Sequence, residues 1–170
     1  MAKLKDCLAF LITDKSRNCY LARRMDGKNW EWKDTEPSKV YMLSGSKGNW
    51  LIGNQEAESY PAIALCEGGP DFLAAFGHAF ASGVEDRIAP VCITSSGVTI
   101  TEEALACFTG KRVRIFAHND DPGQQAAEAW MSQLAGLATV IDTFNFVGLE
   151  RSDGEPIKDL NDLSLIDYDC

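Results

Sequence analysis

From residue 62 onward the chain alternates strand-length apolar runs with helix-length amphipathic ones. This alternation restricts its fold more than any other feature. Residues 62–66 form a continuous apolar run, the pattern of a strand buried on both faces. The run ends at Glu67-Gly68-Gly69, and Pro70 suits the first turn of a helix. Phe72, Leu73, Phe76 and Phe80 then repeat at helical spacing. Residues 89–94 are a second strand, ending at Ser95-Ser96-Gly97. Thr101-Glu102-Glu103 supplies the capping hydroxyl and first-turn acids of a short helix. Residues 113–117 are a third strand, followed by His118-Asn119-Asp120-Asp121. Asp121 is expected to cap the next helix, with Pro122 at its first position and Ala126, Ala127, Trp130 and Leu134 on its buried face. Residues 138–146 are a fourth strand. The order β-α-β-α-β-α-β predicts an α/β fold, a four-stranded parallel sheet flanked by helices with right-handed crossovers. Ligands of such sheets bind beyond the carboxyl ends of the strands. Glu67, Ser95/Ser96 and Asp120 are therefore expected at one edge.

The first 57 residues read differently, as a small β-rich unit. Segments 7–13 and 19–25 predict a hairpin around the polar loop 14–18, and Asp26-Gly27 a turn. Trp30 and Trp32 alternate with charged residues, as in a half-exposed strand. Residues 40–43 are another short strand, and Trp50-Leu51-Ile52-Gly53 closes the unit. The expected organisation is this unit, an α/β domain over 58–147, and a polar, acidic segment over 148–170.

With 170 residues the chain suits one domain with a small appendage. Its net charge of −9 argues against a simple nucleic-acid coat. That charge is uneven. Residues 1–57 carry ten Lys/Arg against seven Asp/Glu, and residues 58–170 carry six against eighteen. This is either solvated surface charge or a basic third that meets a polyanion ahead of an acidic part that holds metal ions. The cysteines at 7, 19, 66, 92, 107 and 170 form no Cys-x-x-Cys pair and no zinc spacing. They read as small hydrophobes without structural disulfides, and a zinc module is expected only on another chain or segment. No apolar run approaches the ~20 residues of a membrane span, and the N-terminus lacks a secretory pattern. The expected location is cytoplasmic.

Glu67 and Asp71 flank the turn after the first buried strand. Gly68 and Gly69 let the backbone turn tightly and let a phosphate approach, and the following helix start offers N–H groups to an anion. His118, Asp120 and Asp121 follow the third strand. Hard oxygen ligands from two loops suit Mg²⁺ or Mn²⁺. Each residue also has a plainer reading. Asp121 serves as a helix cap, and Asp71 complements the helix dipole. His78 lies within a helix, as packing or surface. Glu67, set between a buried strand and two glycines, contributes nothing to packing and reads as functional, as does Asp120.

Glu67-Gly68-Gly69-Pro70-Asp71, followed by an Ala/Phe/Leu helix, resembles the first motif of the Toprim family. The segment from Ile115 to Ala127, with Asp120 and Gly123, resembles the second, an Asp-x-Asp followed by a loop glycine and an Ala-Ala helix. Ser95-Ser96-Gly97 sits where the family keeps a small-residue loop. Lys158-Asp159-Leu160-Asn161-Asp162-Leu163 resembles the tail that follows Toprim in phage and plasmid primases, and the segment from Ala22 to Gly53 resembles the β-rich piece that precedes it there.

The resemblance implies a Toprim fold and a place in DNA replication. Glu67 is then a general acid/base, and Glu67, Asp71, His118, Asp120 and Asp121 are the metal residues. The implied cofactor is Mg²⁺ or Mn²⁺, and the implied partners are a single-stranded DNA template, nucleotides and a replicative helicase. His118 stands where the family has the first Asp of Asp-x-Asp. Either Glu67, Asp120 and Asp121 hold the metal, or activity is attenuated. Priming, phosphodiester cleavage and non-catalytic binding of nucleic acid or a replication partner all fit the motifs. Arg23, Arg24, Lys28, Lys47, Ser95 and Ser96 are the expected nucleic-acid contacts. Trp30, Trp32 and Trp50 are either base-stacking platforms or core.

Overall fold

A computed structural model describes residues 2–4, 6–32 and 36–166. The chain separates into two units, Met1–Gly48 and Asn49–Cys170.

The first unit is an antiparallel sheet of β1 (Ala2–Leu4), β2 (Cys7–Ile12), β3 (Leu21–Arg24) and β4 (Val40–Met42), in that order. β2 and β3 form the expected hairpin, with Phe10 opposite Arg23. Period-2 alternation turns Ala9 and Ala22 inward, where both are fully buried. Such small residues leave room for a large one, and Trp30 fills it at 1% exposure. Its indole N–H donates to the Ala22 carbonyl at 3.1 Å. Trp32 and Tyr41 pack beside it. The expected strand at Trp30 and Trp32 is reduced to a single bridge, Trp30 with Ser38. The two indoles still share one side of the sheet, as period-2 alternation expects of residues i and i+2, but among the described residues no ladder extends beyond that bridge.

In the second unit β5 (Ala62–Glu67), β6 (Ile88–Ile93), β7 (Arg112–Phe116) and β8 (Val140–Thr143) form a parallel sheet of order β6-β5-β7-β8. The connections are α2 (Gly69–Ala81), α3 (Glu102–Leu105) with a 3-10 turn, and α4 (Asp121–Leu134). One sheet face supplies Ile63, Leu65, Val113 and Ile115 to a core with Phe108, Ala127, Trp130 and Leu134. The opposite face supplies Ala64 and Cys66 to a second core with Ala75, Phe146, Ile157 and Leu160. The acidic segment 148–166 is thus packed onto the sheet rather than hanging from it.

The residues at 49–57 belong to this second unit. Ile52 bridges to Cys92 of β6, and a short helix α1 (Asn54–Ala57) follows. Leu51 and Ala57 are fully buried in the sheet's core. That apolar demand explains why the segment leaves the β-rich unit. Lys111 Nζ donates to the carbonyls of Ala57 and Glu58, both at 2.9 Å, and of Tyr60. It thereby closes the α1 turn. Lys111→Met keeps the aliphatic stem and removes the ammonium. Stability should fall by about 1–2 kcal/mol, read as a lower urea midpoint. An unchanged midpoint would mean that water replaces the ammonium without loss.

The spacing of Phe72, Leu73, Phe76 and Phe80 does mark a helix, but not one buried face. Asp71, Phe72, Ala75 and Ala79 face inward, while Leu73, Phe76 and Phe80 are 50%, 50% and 74% exposed. Small alanines let α2 lie close to the sheet and leave the larger rings outside. Cys7, Cys19, Cys66, Cys92 and Cys107 are free, and Cys170 lies outside the described residues. Burial pushes the thiols of Cys19 and Cys107 up to about 11 and about 12, as expected for inert packing cysteines. Among the described residues no helix is long and apolar enough to cross a membrane.

Candidate active site

Three strands deliver their carboxyl ends to one edge. β5 ends at Glu67, β6 at Ile93 before the Ser95-Ser96 loop, and β7 at Phe116 before His118. The central position of β5 places Glu67 between the two loops. Gly68 holds φ 88°, ψ 163° as the N-cap of α2. That region is essentially open to glycine alone. The chain reverses there, and Asp71 returns to the edge in the first turn of α2.

Glu67 and Asp71 are 6% and 1% exposed, an expensive placement for carboxylates without partners. His118 supplies most of what they need. Its backbone N–H donates to Glu67 Oε2 at 3.2 Å. Its Nε2 lies 3.0 Å from Asp71 Oδ2, and its Nδ1 lies 3.7 Å from Glu67 Oε1. The hydrogen bond to Asp71, with the charge of Glu67 beside it, raises the imidazole to about 9 against the opposing effect of burial. At neutral pH His118 is therefore an imidazolium between two carboxylates. Burial pushes the Asp71 carboxyl up, and the His118 and Asn161 hydrogen bonds pull it back.

The C-terminal segment completes the cluster. Asn161 N–H donates to Asp71 Oδ1 at 2.9 Å, and Asn119 N–H donates to the Lys158 carbonyl at 2.7 Å. Asp162 N–H donates to Asp159 Oδ1 at 2.9 Å, folding the Lys-Asp-Leu-Asn-Asp stretch into a tight turn. This turn brings Asp159 to the site. Ligand atoms of Asp71, His118 and Asp159 lie within 4.8 Å of one another. Among the described residues this is the one such group of three. In the sequence Asp159 stands within the Lys-Asp-Leu-Asn-Asp-Leu motif with no role legible from spacing. The signal was the motif itself, whose fold-back onto Asp71 no local pattern reveals.

Asp120 and Asp121 stand differently. Asp120, not Asp121, is the N-cap of α4, and its Oδ1 accepts from Gly123 N–H at 2.8 Å. Asp121 and Pro122 fill the first turn, so capping falls one residue earlier than the Pro122 position suggested. Both aspartates are exposed. A Cβ on Gly123 would lie 2.2 Å from the His118 carbonyl oxygen. Glycine at 123 thus permits the approach that positions His118.

A divalent ion fits this donor set in kind. Two carboxylates and an imidazole depart from the all-oxygen preference of Mg²⁺ and suit a first-row transition ion better. Coordination through His118 Nε2 requires the proton shared with Asp71 to leave.

The expected nucleic-acid residues are spread over both units. Ser95 is exposed, and Ser96 lines a hollow of about 330 Å³ with Val98, Gln125, Trp130 and Gln133. Arg24 is committed locally. Its guanidinium binds Asp26 at 2.8 and 2.5 Å and lies 5.7 Å over the Trp30 ring. Arg23 is half-buried on β3, and Lys28 and Lys47 are exposed. Trp30 and Trp50 are buried and Trp32 half-buried, which favours their core reading over base stacking.

No family model and no curated protein matches the chain. Among solved structures it is similar to the primase fragment of the bacteriophage T7 primase-helicase protein, at 15% identity and TM-score 0.60. That match covers 96% of this chain and 60% of the other, so the chain spans less than two thirds of that fragment. It is also similar to a chain in the complex of T7 lagging-strand DNA polymerase with primase domains of two gp4 subunits, an RNA/DNA hybrid and dTTP. There the identity is 14%, the TM-score 0.58, and the match covers 96% of this chain and 74% of the other. The fold of this chain is therefore the Toprim-type fold of a phage primase fragment.

Proposed function

We propose that the chain is the catalytic-domain part of a primase-like nucleotidyltransferase, joining nucleotides on a single-stranded DNA template with a divalent metal. The observation that carries this reading is the convergence of Glu67, Asp71, His118 and Asp159 at the carboxyl edge of a primase-type fold. Glu67 has the position and enclosure of a general acid/base. Asp71, Asp159 and His118 are the residues that would hold the metal, with Asp120 and Asp121 at the neighbouring helix start facing solvent. When bound, such an ion supplies charge neutralisation and polarisation at a phosphate oxygen. The α2 N-terminus adds backbone N–H groups for phosphate oxygens, whereas at α4 Pro122 has none and Asp120 already takes that of Gly123.

The test is primer synthesis by Glu67→Gln and Asp120→Asn variants in the full-length protein. Loss of synthesis supports the proposal, and unchanged synthesis sinks it. Nicking of labelled DNA in Mn²⁺ without dinucleotide formation would assign cleavage instead.

One observation favours a second reading, a non-catalytic nucleic-acid or partner-binding module. The His118 imidazolium already gives Glu67 and Asp71 a cationic partner within the chain. Calorimetric titration with Mn²⁺ and Mg²⁺ separates the two. Absence of binding at millimolar concentration selects the non-catalytic module.

A further inference from the structure

A four-stranded sheet is roughly 15–20 Å wide, while a helix is about 10 Å across. On one face of the second unit's sheet α2 covers β5 and β6, and the segment around Phe146, Ile157 and Leu160 covers the carboxyl ends. At the amino ends, beside β7 and β8, a cavity of about 420 Å³ remains. Its arginines lie at the opposite end of the strands from Glu67, and its lining runs along the sheet face as far as Phe116 and Leu160. Its floor is apolar, with Ala62, Ala64, Ile88, Val140 and Phe116 among its lining. Its volume lies in the range of small-molecule sites.

The charges around this cavity are unusual. β7 is an interior strand, where both faces of a parallel sheet are ordinarily apolar. Arg112 and Arg114 nonetheless occupy its cavity face, with Arg87 at the start of β6 opposite. These are three of only six Lys/Arg between residues 58 and 170, a stretch holding eighteen Asp/Glu. Asp142 holds the Arg114 guanidinium at 2.6 and 3.0 Å and also attracts Arg112. Among the described residues Arg87 and Arg112 have no side-chain hydrogen-bond partner. His78, also in the lining, has a buried Nε2 without a hydrogen-bond partner.

We propose that this cavity binds a small phosphorylated ligand with a flat apolar body, the chemistry of a nucleoside monophosphate. Guanidinium groups match phosphate oxygens as bidentate donors. One carboxylate against three arginines leaves a positive excess suited to a phosphomonoester. Phe116 and the aliphatic floor take the flat body. The arginine end of the site shares no residue with the carboxyl-edge cluster, and the proposal stands whether or not that cluster is catalytic.

Calorimetry of the whole chain with AMP, adenosine and inorganic phosphate, with and without EDTA, tests it. AMP should bind at submillimolar concentration. Adenosine and phosphate should each bind at least about tenfold more weakly. Arg87→Ala and Arg112→Ala remove exposed side chains and should leave the fold intact. Each should weaken AMP about tenfold, and the Arg112→Glu reversal more. Any one of four results overturns the proposal: no AMP binding at millimolar concentration, loss of AMP binding in EDTA, arginine variants that bind as wild type, or adenosine or phosphate binding as tightly as AMP.

Discussion

Glu67→Gln should lower primer synthesis by the full-length protein at least about 100-fold, the lower end of what a positioned acid/base contributes, while leaving the fold in place. The substitution is nearly isosteric. A glutamine oxygen can still accept the His118 backbone N–H that now meets Glu67 Oε2 at 3.2 Å. Only the charge and the exchangeable proton are lost. Because Glu67 is 6% exposed at the end of an interior strand, the amide needs no space the carboxylate does not use. Asp120→Asn is the companion. Asparagine caps helices as well as aspartate does, so the bond to Gly123 N–H can persist and a loss of synthesis would report the charge alone. Asp120→Asn should melt close to wild type, and Glu67→Gln, which gives up part of the charge that holds the His118 proton, slightly lower. If both synthesise primers normally, the carboxyl edge is not the catalytic edge of this chain.

The sheet was legible because its cause is local. Four apolar runs of strand length, each closed by glycine, serine or aspartate, leave few alternatives to a parallel sheet with helices between, and β5 to β8 appear where those runs are. The faces of α2 were not legible. Leu73, Phe76 and Phe80 carry a helical period, but whether a ring points in depends on how near the sheet lies, and Ala75 and Ala79 decide that. Segment 49–57 shows the same limit. Ile52 reads equally well as the end of a β-rich unit or as a partner of β6, and only Cys92, forty residues on, distinguishes them. The site divides along the same line. Glu67, Asp71 and His118 stand in motifs that announce themselves. Asp159 arrives because Asn161 N–H binds Asp71 across ninety residues, a contact invisible to spacing. Arg112 and Arg114 alternate with Val113 and Ile115 in plain view, but alternation does not say that an interior strand has an open face, which depends on how far α2 reaches across the sheet.

Asp71→Ala should destabilise the protein by about 2–4 kcal/mol and change how its stability depends on pH. Asp71 is 1% exposed and joins three segments that are distant in sequence: α2, the His118 loop and the turn at Asn161. Truncation leaves the Asn161 N–H and the imidazolium without their acceptor, and a partly buried cation that loses its counter-charge is costly. The pH dependence follows from His118. Its imidazole titrates at about 9 in the folded chain against an ordinary value of 6.5. The folded state therefore holds this proton more tightly than the unfolded state. The resulting stabilisation is complete below pH 6.5 and is lost as pH rises from there through about 9. With the side chain 36% exposed, screening reduces the contribution to about 1–2 kcal/mol. Urea midpoints of the wild type should fall by that amount across the window. Asp71→Asn preserves size and the acceptor for Asn161, so it should fold better than Asp71→Ala. It removes the main cause of the raised imidazole, however, and its midpoints should be flat from pH 6.5 to 9, with the His118 ring titrating by NMR nearer its ordinary value. If Asp71→Asn kept the wild-type slope, Glu67 rather than Asp71 would be the counter-charge that holds the proton.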